Sequence, residues 1–142
     1  LEDKGPEFLI STLQEYKQGK SQLVEQNHAL ACGAPKLRKE MGRLDFNLNA
    51  GQLHNLIRGM FPWPGTYCEL TGKKFKVTAA LPDNSRSCNK KPGTLDLFEK
   101  KLYVACNDYW LELIQVQLEG KKPVSGADFA RGAQNFSLLI LS

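Results

Sequence analysis

Apolar side chains first recur at helical spacing, then lose any period, then recur helically again, and from Thr66 alternate with a period of two. Leu9, Leu13 and Tyr16 follow Pro6 and precede Gly19, which predicts a helix over residues 1 to about 20, with proline in its first turn and glycine as its stop. One short helix cannot bury that stripe alone and needs a partner surface. Residues 21–46, SQLVEQNHALACGAPKLRKEMGRLDF, show no period and contain Gly33, Pro35 and Gly42. They read as a linker lying on protein surface, with Leu37, Leu44 and Phe46 as apolar anchors.

From Asn47 the patterns sharpen. Asn49 and Gln52 have the residue types and spacing of a capping box. Leu53, Leu56, Ile57 and Met60 then make a helical stripe, which the run PWPG at residues 62–65 ends. His54 and Arg58 share a neighbouring face, suited to fixing this helix onto the linker or the sheet, and Trp63 is expected to pack into the end of the sheet. Residues 66–70 predict a strand and Thr71-Gly72 a turn. Residues 73–80 alternate, with Phe75, Val77 and Ala79 on one face and Lys74, Lys76 and Thr78 on the other. Residues 81–92 read as a polar loop. Residues 94–98, 102–106 and 109–118 complete five strands, the last two joined by a hairpin at Asn107-Asp108. Ser125 and Asp128 predict the cap of a final helix, SGADFARG, closed by Gly132. The fold class is mainly β with flanking helices. A five-stranded barrel of the oligonucleotide/oligosaccharide-binding (OB) type and a half-open sheet packed on helices both satisfy this pattern.

Charge adds a direction to the picture. Residues 36–101 hold thirteen Lys and Arg against six Asp and Glu, whereas the remainder holds six against nine. A polyanion would therefore meet its complement in the middle of the chain. The four cysteines, Cys32, Cys68, Cys88 and Cys106, lie far apart, unlike zinc ligands, and read as free thiols with no metal. The longest apolar run, residues 138–141, is far short of the roughly 20 residues that a membrane helix needs. The opening LEDKGPEF lacks the pattern of a secretory signal. A cytoplasmic location without membrane contact is expected.

The segment HNLIRGMFPWPGTYCELTGKKFKV resembles the start of the carboxyl-terminal domain of methionyl-tRNA formyltransferases. Upstream, APKLRKEMGRLDF is similar to the inter-domain linker of that family, and KKLYVACNDYWLELIQVQLEGKKPVSGADFARG is similar to its closing strands and last helix. The resemblance spans roughly residues 5 to 132 in order. It departs at Met41, where the linker usually has Asp, at Phe46 in place of Trp, and in the loop at 82–92. The ending AQNFSLLILS does not resemble the family's. The resemblance implies a five-stranded OB-like barrel at 47–134, preceded by the last helix and tail of a catalytic domain at 1–30 and a basic linker at 31–46. Residues 135–142 remain a tail without an assigned role.

It further implies a full enzyme that moves a formyl group from 10-formyltetrahydrofolate to the methionyl group of initiator tRNA. The family's catalytic Asn, His and Asp precede this region, and His28, His54 and Asn55 do not match them. The chain alone is expected to be inactive and to hold no cofactor. Its partners would be initiator methionyl-tRNA and its own amino-terminal catalytic domain, and the protein would be a monomer. Candidate phosphate contacts are Lys36, Arg38, Lys39 and Arg43 in the linker, Lys73, Lys74 and Lys76 on the strand, and Lys90 and Lys91 in the loop. Each group also has a plainer reading as solvated surface. The alternative function is an appendage of a formyltransferase or formyl-folate hydrolase acting on a small molecule, since sugar-nucleotide formyltransferases keep a similar PWPG segment.

Overall fold

The computed structural model describes residues 3–132 and 140–141, which form two compact units, Leu1–Pro35 and Lys36–Ser142. The first contains helix α1 (Gly5–Lys17), with proline in its first turn as its sequence predicts, and a 3-10 turn at His28–Leu30 capped by the Asn27 side chain.

The second unit begins in an exposed strand-like stretch and turns once in 3-10 geometry at Lys39–Gly42. Gly42 has no room for a side chain, because a Cβ there would collide with the carbonyl oxygen of Gly65. Beyond it, Arg43 bridges to Tyr67 in parallel and the Leu44 N–H donates to the Tyr67 carbonyl at 2.8 Å. Leu44 and Phe46 enter the core, whereas Leu37 stays exposed. The end of the apparent linker is thus part of the domain's own packing.

Helix α2 (Ala50–Gly59) follows. Gln52 Oε1 accepts from the Asn49 N–H at 3.1 Å, and Asp108 Oδ1 accepts from the Ala50 N–H at 2.8 Å. The second bond ties the helix to a hairpin 58 residues away. Ala50, Leu53 and Ile57 face the sheet and are buried, and His54 Nδ1 sits 2.9 Å from the Ala80 carbonyl oxygen. His54 therefore anchors α2 to the sheet.

Strands β1 (Thr66–Leu70), β2 (Lys73–Ser87), β3 (Leu95–Phe98), β4 (Lys101–Ala105), β5 (Tyr109–Leu118) and β6 (Val124–Ser125) form one sheet in the order β1-β2-β5-β4-β3, with β6 on β5. All of these pairings are antiparallel. The edges are brought together by the last described residues: Leu141 bridges Leu70 of β1, and Ile140 bridges Thr94 beside β3. Leu141 is buried, and its carbonyl oxygen fills the space where Gly93, at φ +86°, lacks a Cβ. Helix α3 (Gly126–Gly132) carries the cap its sequence predicts, with Ser125 Oγ accepting from the Asp128 N–H at 3.0 Å and donating to Asp128 Oδ2. That hydroxyl and Arg131 hold the Asp128 carboxyl below its usual pKa.

Two expectations about β2 change. The strand extends to Ser87, and Leu81, Pro82, Asp83 and Ser87 of the expected loop are paired with β5. Register shifts between Val77 and Ala80 also reverse the facing, so that Ala80 is buried and Ala79 is not. A bulge inserts a residue and bends the strand, and no hydrophobic pattern in one strand announces it. Strand β6, only two residues long, also escapes a reading by period.

Burial suppresses thiolate formation at two cysteines: Cys68 and Cys106 are each pushed up to about 12, mainly by desolvation. All four cysteines are free, and Cys32 is exposed. Alkylation of the native protein near pH 8 should label Cys32 and spare Cys68 and Cys106, whose thiolate fraction is lowered by about a thousandfold. Mass mapping of the label reads this directly. In the β3–β4 turn, both Glu99 and Lys100 adopt positive φ, at 49° and 63°. Non-glycine residues in that region cost roughly 1–2 kcal/mol each. Lys100→Gly is therefore expected to raise stability by about 0.5–1 kcal/mol after the greater backbone entropy of glycine is deducted, measurable by urea unfolding.

Candidate nucleic-acid interface

The alternation of β1 and β2 sends Thr66, Cys68, Leu70, Phe75 and Val77 inward. Tyr67, Lys74 and Lys76 are left on the outer face. Register then joins residues from four segments into one row, since Arg43 pairs with Tyr67, Tyr67 with Lys76, and Lys76 with Gln117. Paired residues share a face, so the linker cation Arg43 and the strand cation Lys76 belong to the same surface. Lys74 lies beside them with its ammonium 3.9 Å from the centre of the Tyr67 ring. Glu119 is held close by, accepting the Lys74 backbone N–H on its carboxylate at 3.1 Å. None of the ion pairs formed among the described residues includes Arg43, Lys74 or Lys76.

The other predicted site residues separate. Lys36, Arg38 and Lys39 are exposed in the segment leading to Arg43. Lys73 opposes Leu70 at the turn and has the parity of Phe75, so it stands outside the row. Lys90 and Lys91 lie towards the far end of β5. There Lys90 pairs with Asp96 at 3.3 Å and its ammonium is 5.9 Å from the Trp110 ring, while the Lys91 carbonyl accepts from Thr94.

Arg86 belongs to that far patch and is engaged there. Its guanidinium carbon is 4.1 Å from the Phe98 ring centre, 5.0 Å from Tyr103 and 5.4 Å from Trp110, with the Asp83 carboxylate at 3.9 Å. Tyr103, Ala105 and Trp110 are buried together on the outside of the sheet as a second, small core. Ser85 chiefly, then Arg86 and Lys101, hold the Asp83 carboxyl below its usual pKa. The guanidinium covers this aromatic cluster as a cation–π lid.

Two features of the interface are not evident in the sequence pattern. Trp63, expected to pack into the end of the sheet, is 57% exposed. Phe61, just before the same proline-rich turn, is 61% exposed. The helical stripe ends at Met60, which is buried, and this was the one available signal that Phe61 points elsewhere.

Residues 36–134 match the family described as formyl transferase, C-terminal domain. Methionyl-tRNA formyltransferase from Chlorobium luteolum is 38% identical over 130 residues, covering 90% of this chain and 41% of that protein. The enzyme of the same name from Acidobacterium capsulatum is 38% identical over 133 residues, covering 93% and 42%. The chain thus spans about two fifths of the length of these curated relatives. Among solved structures, a variant of HypX from Aquifex aeolicus matches with a TM-score of 0.60 at 16% identity, covering 90% of this chain and 24% of that one. HypX in complex with tetrahydrofolic acid matches at 0.57 and 17%, covering 87% and 22%. At such identities the likeness is one of fold.

Removal of the guanidinium lid is expected to destabilise the domain. Arg86→Ala should lower unfolding free energy by about 1–2 kcal/mol through lost cation–π contact and packing. Arg86→Lys should not restore it, because an ammonium cannot stack as a planar guanidinium does. Chemical denaturation of the three proteins measures both.

Proposed function

Because the chain belongs to the formyl transferase, C-terminal domain family, we propose that it is the tRNA-holding part of a methionyl-tRNA formyltransferase. The relatives' shared name supports the reading, and the row Arg43–Tyr67–Lys76–Gln117, with Lys74 beside it, carries it. Three cations on one face that form no ion pair among the described residues would displace counterions from a polyanion. Paired RNA presents phosphates and 2′-hydroxyls, while its base edges lie in a groove that side chains cannot read, so a grip of this kind is one of charge and shape. Lys36, Arg38 and Lys39 would extend the contact along the approaching segment.

The whole enzyme would pass a formyl group from 10-formyltetrahydrofolate to methionyl initiator tRNA in the cytoplasm, acting as a monomer. This chain's partners would be that tRNA and an amino-terminal catalytic domain. The histidines here do not fit a formyl-transfer site: His54 is held against the Ala80 carbonyl, and His28 lies in a 3-10 turn of the other unit. No step of the reaction is therefore assigned to these residues. A small-molecule formyltransferase or hydrolase with this domain as an appendage is the rival reading, and the likeness to HypX, being one of fold alone, does not favour it. Nothing in that reading requires the basic row.

Titration of initiator tRNA into the chain at several salt concentrations tests the proposal. Affinity should fall steeply with salt, and Lys74→Glu with Lys76→Glu should lower it at least about tenfold and reduce the log–log slope by about 2. Lys90→Glu should change it much less. Salt-independent binding, or an unchanged affinity after the double reversal, would sink the proposal.

A further inference from the structure

Beside the basic row the molecule carries a groove that phosphate contact does not explain. It runs between the turn joining α2 to β1 and the outer face of β1 and β2. One part, about 230 Å³, is lined by His54, Arg58, Phe61 and Thr78 among others. The adjoining part, about 140 Å³, shares Ile57, Phe61 and Thr78 and adds Tyr67, Lys74 and Lys76. A third depression, of about 280 Å³, continues past Lys74 and Lys76 to Glu119 and Gly120. Phe61 stands where the first two meet, with most of its ring in solvent.

A ring exposed to that extent leaves much of its apolar surface in water. It does so here on the border of a channel whose lining cations are Arg58, Lys74 and Lys76 and whose only lining carboxylate among the described residues is that of Glu119. Pro62 and Pro64 of the proline-rich turn line the same groove, and Trp63 is exposed between them. An exposed aromatic face flanked by cations is the arrangement that takes single-stranded nucleic acid, with a base on the ring and phosphates along the charges. In a duplex the faces of the bases are already covered by their neighbours, so paired RNA can use the cations but not the ring. An acidic peptide would use the charges equally well, but it would leave the ring without a planar partner.

We infer that this groove binds unpaired nucleotides of an RNA, with one base stacked on Phe61 and the flanking phosphates on Arg58, Lys74 and Lys76. The inference rests on the RNA-binding reading above and adds to it a preference for a single-stranded element next to a paired one. Thr78 is already engaged, donating to Gln115 Oε1 at 3.1 Å, and the Gln117 amide donates to the Lys121 carbonyl. The polar lining is thus largely spent within the protein, and stacking with charge, rather than base-edge readout, would dominate. The groove should be tolerant of sequence.

The test compares an eight-nucleotide unstructured RNA with a blunt, fully paired RNA hairpin, both titrated into the 142-residue chain at low salt. Phe61→Ser should weaken binding of the single strand about tenfold or more and leave the hairpin affinity within about twofold. Phe61→Trp should restore it, and Leu97→Ser, at an exposed apolar position on β3, should change neither. Equal unfolding midpoints for Phe61→Ser and the parent chain check that the fold is intact. Equal loss on both RNAs, no loss on either, or no binding of the single strand by the parent chain would overturn the inference. An unchanged single-strand affinity in Phe61→Ser would mark the ring as a protein-facing contact instead. Failure of the hairpin to bind the parent chain would count against the RNA-binding reading itself, and the two failures are therefore separable.

Discussion

Strand β5 can satisfy its backbone only because β2 follows it along its whole length, from Phe75 opposite Leu118 to Ser87 opposite Tyr109. The other edge of β5 is divided: β4 occupies the part near Trp110, and β6 the part near Val116. A straight β2 could not serve a sheet curved enough for that division. The register shifts between Val77 and Ala80 supply the bend, and they rotate the inward set from Phe75 and Val77 to Ala80, opposite Leu113. Everything peripheral is fastened to this bent ladder. His54 anchors α2 at Ala80, immediately after the shift, and Gly126 begins α3 where only a missing Cβ leaves room for the Leu113 carbonyl.

What the sequence disclosed follows from which forces act locally. Residues 66–70 are a strand with the limits their alternation implies, because a half-buried strand writes its facing into every second residue. Residues 109–118 keep their expected limits although their burial does not alternate. Caps at Ser125 and around Asn49 are visible for the same reason, since the bonds span three residues. The bulge in β2, the extension of that strand to Ser87 and the pairing of Arg43 with Tyr67 depend on partners remote in sequence, and no local period encodes them. Trp63 shows the hazard of composition: a tryptophan between prolines suggests packing, yet it stands in solvent. The apolar tail has no account from sequence, and of its described residues Leu141 is buried and bridges β1 at Leu70 while Ile140 bridges Thr94 beside β3.

The candidate site was legible as an excess of positive charge but not as a surface. Thirteen basic residues between positions 36 and 101 give no indication of which are free. The fold sorts them. Arg86 is drawn onto three aromatic rings, Lys90 pairs with Asp96, and Lys101 pairs with Glu112 at 3.0 Å. These cations have partners within the protein, and their charge is already balanced or covered. Arg43, Lys74 and Lys76 form no ion pair among the described residues, although Lys74 lies over the Tyr67 ring, and the pairing of β1 with both the linker and β2 sets them on one face.

This sorting also bears on how the two kinds of surface differ. At the far end of β5, Tyr103 and Trp110 are buried, Phe98 is partly exposed, and the Arg86 guanidinium lies over all three rings. Near its other end the order is partly inverted. Lys74 covers Tyr67, but among the described residues no cation lies over Phe61, which is mostly exposed. An aromatic ring and unpaired cations placed together without satisfying one another favour a ligand that brings both an anion and a planar face. Nucleotides have both, and an unpaired nucleotide is the form in which both remain available. The paired region of an RNA would meet the basic row while a neighbouring unpaired stretch would enter the groove, so the same strand alternation that buries Phe75 and Val77 would set the register of the partner.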